Sequence, residues 1–381
     1  MPLAVIGLEW LRLGCLGFGG PPTHISMLRS MCVERRAWID AEEFEDANAT
    51  TALLPGPAST QLAIYCAWRL RGAVGAVIGG LCFIVPGLVV ILALSALFLA
   101  AHPPVWVLGA AAGAGAIVPA VALNAARGLI PGSWRRTGNL FAPRARWVAY
   151  ALAGGVAAAT LGSFLVVVLA ACGTAEIVIR RGGRPSSLGS AAPFLPAALI
   201  RGTVPGGHAA LAWVAIKVGA LSYGGGFVII PLMQHDAVTT YHWLTGAQFL
   251  NAVALGQITP GPVVQTVSVV GYAASGVAGG LMAAVIAFAP SFAFVLIGGR
   301  HFDQIRTNSA VQSFLAGAGP AVIGGIAGSA ISLGLAFTQT WQIPVLAGAL
   351  VWLLALRRGV VSALFAGALI GVVTALAGVA T

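Results

Sequence analysis

Of 381 residues, 59% are apolar and only 8% charged, with 51 glycines. This composition excludes a soluble domain, which would aggregate, and points to a bilayer. A net charge of +10 does not indicate nucleic acid here, because the arginines are spread over short loops between apolar runs, where they orient a chain in a membrane.

In chain order, Met1 to Phe18 is apolar with Glu9 and Arg12 inside it. It lacks the basic head and small-residue cleavage site of a secretory signal and reads as the first helix. That helix stops at Gly19-Gly20-Pro21-Pro22, where glycine permits a sharp bend and proline suits the first turn of the next helix, Thr23 to about Arg36. Helices over about 41–54 and 58–71 meet at Pro55-Gly56-Pro57, where the missing proline N–H opens the backbone. Spans 73–100 and 105–129 are joined by Ala101-His102-Pro103-Pro104, and a basic loop, 130–146, precedes segments 147–160 and 163–179. Residues 180–207 form a basic, Gly/Pro/Ser-rich linker, expected to be cytoplasmic. Residues 208–381 then repeat the plan of 1–179: a helix over 208–223, a Gly224-Gly225-Gly226 break, and helices 246–259 and 263–274 around Pro260-Gly261-Pro262. Spans 277–298, 309–336, 341–356 and 360–380 complete it.

The two halves match in register. Arg12, Gly19, Gly20, Trp38, Phe44, Asp46 and Pro55 meet Lys217, Gly224, Gly225, Trp243, Phe249, Asn251 and Pro260, each displaced by 205 residues. Such a repeat is not chance. If each Gly-Gly helix crosses once and each Pro-Gly-Pro pair is a re-entrant hairpin, each half crosses five times and the second is inverted. With both termini outside, Arg35, Arg36, Arg69, Arg71, Arg127, Arg135, Arg136, Arg144, Arg146, Arg180, Arg181, Arg184, Arg201, Arg300, Arg306, Arg357 and Arg358 then fall inside. The predicted fold class is an all-α polytopic membrane protein of two inverted repeats, with broken helices meeting at the midplane as in secondary transporters.

Open backbone at membrane depth must line protein or water, so the breaks are expected to line a cavity. Helix starts there favour an anion. The start after Pro57 offers Ser59, Thr60 and Gln61, and that after Pro262 offers Gln265 and Thr266, either as donors to oxyanion oxygens or as caps of their own helices. Arg12 and Lys217, the only lysine, stand seven residues before the break glycines and are expected to face the same cavity; the alternatives are snorkelling, or for Arg12 a pair with Glu9. Gly19, Gly20 and His24, and Tyr223, Gly224 and Gly225, complete the candidate substrate site. His24 and Asp46 are the candidates for proton coupling, Asp46 also as a partner of Arg69 or Arg71. The five cysteines sit singly and read as packing residues, and no metal spacing or cofactor motif is present.

Phe18-Gly19-Gly20-Pro21-Pro22-Thr23-His24, Glu34-Arg35-Arg36-Ala37-Trp38 and Leu54-Pro55-Gly56-Pro57-Ala58-Ser59-Thr60-Gln61 resemble the chromate ion transporter family. Tyr223-Gly224-Gly225-Gly226, Trp243-Leu244-Thr245, Gln257-Ile258-Thr259-Pro260-Gly261-Pro262 and Pro290-Ser291-Phe292 resemble its second domain. The resemblance implies a bacterial inner-membrane exporter of chromate that confers chromate resistance, driven by membrane energy, with sulfate as the look-alike anion. A sulfate-type anion channel, with Arg12 and Lys217 as a constriction, is the alternative within transport, and a chromate reductase the alternative among enzymes. The many Gly and Ala residues allow close helix packing, including packing in a homodimer.

Overall fold

The computed structural model describes residues 1–52, 56–138, 140–161, 165–180, 206–222, 227, 229–298 and 308–379. Among these are fourteen α-helices and no strand. The first half comprises α1 (Leu3–Leu16), α2 (Pro21–Arg29, extended by π-helix Ser30–Arg35), α3 (Ala41–Thr51), α4 (Ala58–Phe98), α5 (Val105–Arg135), α6 (Phe141–Val156, extended by π-helix Ala157–Leu161) and α7 (Leu165–Arg180). The second comprises α8 (His208–Leu221), α9 (Ile229–Gln234, extended by π-helix His235–Thr240), α10 (Gly246–Ile258), α11 (Thr266–Gly298, preceded by a 3-10 turn Val263–Gln265), α12 (Ser309–Gly334), α13 (Gln342–Leu350, extended by π-helix Val351–Ala355) and α14 (Val360–Leu376).

The repeat extends to backbone detail. Both returning arms end in a π-helix, followed by a left-handed residue at equivalent positions, Ala37 (φ 48°) and His242 (φ 53°). Helix α4 is broken at Arg71 and Gly72 (φ −151° and 59°), and α11 at Ser275 and Gly276 (φ −154° and 62°), now displaced by 204 residues. One residue is therefore missing from the second copy just past Pro262, so that Gln61 corresponds to Gln265.

The Gly-Gly break does not carry its helix across, as the sequence reading expects, but turns the chain back. Glu9 on the way in pairs with Arg36 on the way out (2.5 Å), and Trp10 stacks on Trp38 with ring centroids 6.5 Å apart. Helix length explains this: fourteen residues of α1 reach roughly 21 Å, short of the ~30 Å hydrocarbon core. The Pro-Gly-Pro pair is re-entrant on the same face, since Glu43 of α3 accepts from Arg69 of α4 (Oε2 to Nη2, 3.0 Å). Among the described residues, the helices of the first half fit two hairpins dipping in from one face and four crossings, where the sequence reading expects five.

The halves are inverted. The long arms of α4 and α11 pack antiparallel across each other: a Cβ on Gly80 would lie 2.4 Å from the Phe292 ring, and one on Gly280 2.4 Å from Leu92. Their crossing centres on the equivalent residues Ile84 and Phe288, both buried. Around this pair α5 runs against α14 through Gly109, Gly113, Gly367 and Gly371, and α6 alongside α12 through Ala151, Gly155, Gly324 and Gly328. Small residues let these backbones approach closely, as apolar helices in lipid require. A Cβ on Gly324 would stand 1.7 Å from the Ala151 carbonyl oxygen. Gly324→Ala is accordingly expected to lose about 1–3 kcal/mol, read as a lower unfolding temperature in detergent.

This geometry corrects the termini. Helix α1 starts on the face that carries Arg36, Arg69 and Arg71, whereas α14 ends on the other, against the start of α5. Arg127, Arg135, Arg136, Arg144, Arg146, Arg180, Arg357 and Arg358 share the first face, here termed the basic face, while Lys217 belongs to the opposite side. Arg181, Arg184, Arg201, Arg300 and Arg306 lie outside the described residues. So do residues 181–205 of the linker, whose flanking residues Arg180 and His208 stand on opposite faces.

Candidate functional site

Described residues of hairpins from both faces, around Gly17, Gly56, Ser222 and Gly261, meet at the crossing of α4 and α11. Gly56 (φ 121°) and Gly261 (φ 95°) adopt a backbone that side-chain-bearing residues avoid, so that each tip can turn on itself. Each then bonds to the opposite half. The Gly261 N–H donates to the Gly17 carbonyl (2.9 Å), and the Gly56 N–H to the Ser222 carbonyl (2.6 Å). Gly17 and Ser222 are equivalent ends of α1 and α8, so the two bonds are related by the pseudo-two-fold. Gln265 adds a third link, its Nε2 donating to the Ile84 carbonyl (2.8 Å). Gly87 leaves the room for this: a Cβ there would lie 2.0 Å from the Pro260 oxygen.

His24 ties one tip together. Its Nε2 donates to the Gly17 carbonyl (2.9 Å), its Nδ1 lies 3.2 Å from Ser59 Oγ, and its ring meets Phe83 edge-on at 5.1 Å. The carbonyl fixes Nε2 as a donor, while the Ser59 hydroxyl can donate to Nδ1 or accept from it. Because Gly17 accepts from both His24 and Gly261, the histidine of the first half braces the tip of the second.

The other tip is built of hydroxyls. Ser291, the equivalent of Gly87, places its Oγ 3.3 Å from where a Cβ on Gly56 would stand, and Ser222 receives the Gly56 N–H on its carbonyl. Thr60 Oγ1, Ser222 Oγ, Ser268 Oγ, Ser291 Oγ and Gln257 Nε2 are buried yet bond to no partner among the described residues. Leaving such a group dry costs about 1–3 kcal/mol, and native interiors rarely tolerate it. Together with Gln265 Oε1, an acceptor likewise without a partner among the described residues, these hydroxyl and amide groups and the two helix starts offer polar contacts to a ligand, the hydroxyls, the amide N–H and the helix starts as donors to an anion's oxygens. The sequence reading does not single out Ser222 and quotes Ser291 only within the Pro290-Ser291-Phe292 motif, not as a site residue; the available signals are their register with Gly17 and Gly87 and, for Ser291, its place directly after an in-span proline.

Of the residues singled out from sequence, the fold brings Gly20, Gly56, Pro57, His24, Ser59, Thr60, Gln61, Pro260, Gly261, Pro262, Gln265 and Thr266 to these tips. Thr266 acts as a cap, donating to the Val263 carbonyl (2.8 Å), and Gly19 rests against Thr23. Pro55, Tyr223, Gly224 and Gly225 lie outside the described residues.

The two cations are not at the tips. Arg12 shares the exposed stripe of α1 with Leu8, Leu11, Cys15 and Leu16, while Trp10, Leu13 and Gly14 point inward. Its position is that of a snorkelling side chain. Lys217 is paired with Asp236 (Nζ to Oδ2, 2.5 Å) beside the Trp213 ring. Arg69 pairs with Glu43 rather than Asp46, which lines an acidic cleft of about 390 Å³ with Asp40, Glu42, Glu43 and Tyr65. Arg12→Gln is therefore expected to leave anion flux within about twofold of wild type, since an exposed substitution away from special features changes little. Flux assays in proteoliposomes check this.

The family whose model matches is the chromate transporter, over residues 4–177 and again over 209–372. The chain belongs to the chromate transporter family. Chromate transporters are transporters and not enzymes, and the long apolar helices (Ala58–Phe98, Val105–Arg135, Val263–Gly298 and Ser309–Gly334) make this one a multi-pass membrane protein. Among curated relatives, it is 33% identical over 340 residues to a chromate transport protein of Cupriavidus metallidurans, covering 86% of this chain and 81% of that one. It is 31% identical to a chromate transport protein of Pseudomonas aeruginosa, over 85% and 79%. An uncharacterized transporter of Methanocaldococcus jannaschii is 27% identical, over 81% and 79%. No solved structure matches the chain.

Proposed function

We propose that this chromate transporter exports chromate across a bacterial inner membrane and holds the dianion at the midplane between the Gly56 tip and the hydroxyls of Ser222 and Ser291. The observation that carries this reading is the set of buried hydroxyl and amide groups that have no partner among the described residues on the helices that form the tips. The relatives' names supply the cargo, and the donors suit a tetrahedral oxyanion. Neutral hydroxyls and helix starts bind without fixing a full positive charge, which favours release as well as capture.

The basic face is taken as cytoplasmic, because short cytoplasmic loops concentrate arginine. The amino terminus then lies inside and the carboxyl terminus outside. Export follows the electrical gradient: each negative charge leaving a negative interior gains about 2.3 kcal/mol per 100 mV. Inverted hairpins from the two faces give the alternating routes, one opening as the Gly56–Ser222 bond parts and the other as the Gly261–Gly17 bond parts. His24, bonded to Gly17, is the group through which a proton would bias the second of these.

Flux of labelled chromate from proteoliposomes under an imposed potential tests the reading. Saturable, potential-driven chromate movement that sulfate competes with is expected. Flux linear in chromate concentration would instead favour the channel.

A further inference from the structure

A second polar site lies away from the tips, on the basic face where α5 and α7 end and α6 and α12 begin. Its centre is Glu176, a buried carboxylate that accepts from Arg146 (Nε 2.9 Å, Nη2 3.1 Å), Arg180 (Nε 2.8 Å) and Tyr150 (3.2 Å). Arg136 lines the same pocket. Three guanidinium groups against one carboxylate leave a net charge of two positive. Glu176 occupies only part of their hydrogen-bonding capacity, since each guanidinium carries five N–H donors in a planar fork. It therefore serves to hold Arg146 and Arg180 in place with donors to spare. The enclosed space is about 20 Å³, enough for one oxygen atom to sit among them.

What stands beside the pocket identifies its occupant. The short connection between α5 and α6 presents Leu140 (72% exposed) and Phe141 (87% exposed). Trp134 and Trp147 meet edge-to-face at 5.1 Å, with the Arg144 guanidinium 5.5 Å over Trp134. Exposed apolar side chains and indoles at the end of a membrane helix belong at the lipid headgroup level, where an amphipathic ring is most stable. A free phosphate or chromate ion would use the arginines but have no use for Phe141 and Leu140.

We propose that this pocket binds the headgroup phosphate of an anionic phospholipid, with Arg136, Arg146 and Arg180 on the phosphate oxygens and Leu140 and Phe141 against the acyl chains. Basic pockets between membrane helices on the cytoplasmic side recognise such headgroups.

Thermal unfolding of the purified full chain in neutral detergent, with added cardiolipin, phosphatidylcholine or inorganic phosphate, tests this. Cardiolipin is expected to raise the midpoint by a few degrees in a concentration-dependent way, and phosphatidylcholine and inorganic phosphate to leave it unchanged. Arg136→Gln, at an exposed residue that makes no bond to Glu176, is expected to remove most of that rise while leaving the lipid-free midpoint as in wild type. Phe141→Ser is expected to weaken the rise by the same measure from the apolar side. An equal rise with phosphatidylcholine, an equal rise with inorganic phosphate, or a full cardiolipin response in both variants would each overturn the proposal.

Discussion

Gly87→Val is expected to reduce chromate flux about 100-fold while the protein still inserts and folds. A Cβ at residue 87 would lie 2.0 Å from the Pro260 oxygen and 2.5 Å from Gln265 Oε1. One partner is backbone at a tip and cannot rotate away, so the tip itself must move. Its movement breaks both the Gly261–Gly17 and the Gln265–Ile84 bonds, which hold the second half's tip in the first half's frame. Overpacking of this kind costs about 1–3 kcal/mol in stability, which a protein with an extensive helix interface survives. The functional cost is larger, because a displacement of about 1 Å in a positioned polar site lowers rates by about 10²-fold. Gly128→Ala, where nothing lies within 4 Å of the new Cβ, is the matched control and is expected to transport normally. Flux and detergent stability measured on the same preparations separate the two effects.

Lys217→Gln is expected to destabilise the protein strongly, and for a reason unrelated to anion binding. The Lys217 and Asp236 side chains are only 15% and 12% exposed, and they join α8 to the π-helix that ends α9. Removing one partner strands a carboxylate in an apolar setting, at about 3–5 kcal/mol. Asp236→Asn is expected to do the same from the other side. The double variant is expected to be more stable than either single one, since no unpaired charge remains. Unfolding midpoints of the four proteins give the coupling directly. Destabilisation in the double variant equal to the sum of the two single effects would show that the pair is not coupled.

Much of this architecture is legible in the sequence because it is repeated there. The 205-residue register from Arg12 to Pro55 locates both sets of breaks, and the Pro-Gly-Pro motifs mark the tips at which the halves touch. The direction of the chain past Gly19 and Gly20 is not legible from the motif, since glycine permits either a bend or a full reversal. Helix length carries that information: α1 is too short to span the hydrocarbon core, and the pairing of Glu9 with Arg36, 27 residues apart in sequence but level in depth, shows the reversal. The reversal then moves the amino terminus to the arginine side. Arg12 and Lys217 misled for a related reason. Seven residues bring a side chain back to nearly the same face of a straight helix, but which face points inward is set by packing, and Trp10, Leu13 and Gly14 take the inward positions. Ser222, and the polar role of Ser291 within its Pro290-Ser291-Phe292 motif, are not legible because a serine in a span is ordinary. Their lack of partners appears only in three dimensions.

The measurement that bears most directly on the account is the chromate concentration dependence of flux in proteoliposomes for wild type, Ser222→Ala and Ser291→Ala. A hydroxyl donating to a charged oxygen contributes about 1.5–3 kcal/mol, so each substitution is expected to raise the half-saturating chromate concentration about tenfold or more. Neither is expected to lower thermal stability, because each removes a buried hydroxyl that has no partner among the described residues. Half-saturation unchanged in both variants would place the anion elsewhere and contradict a site at the crossing of α4 and α11.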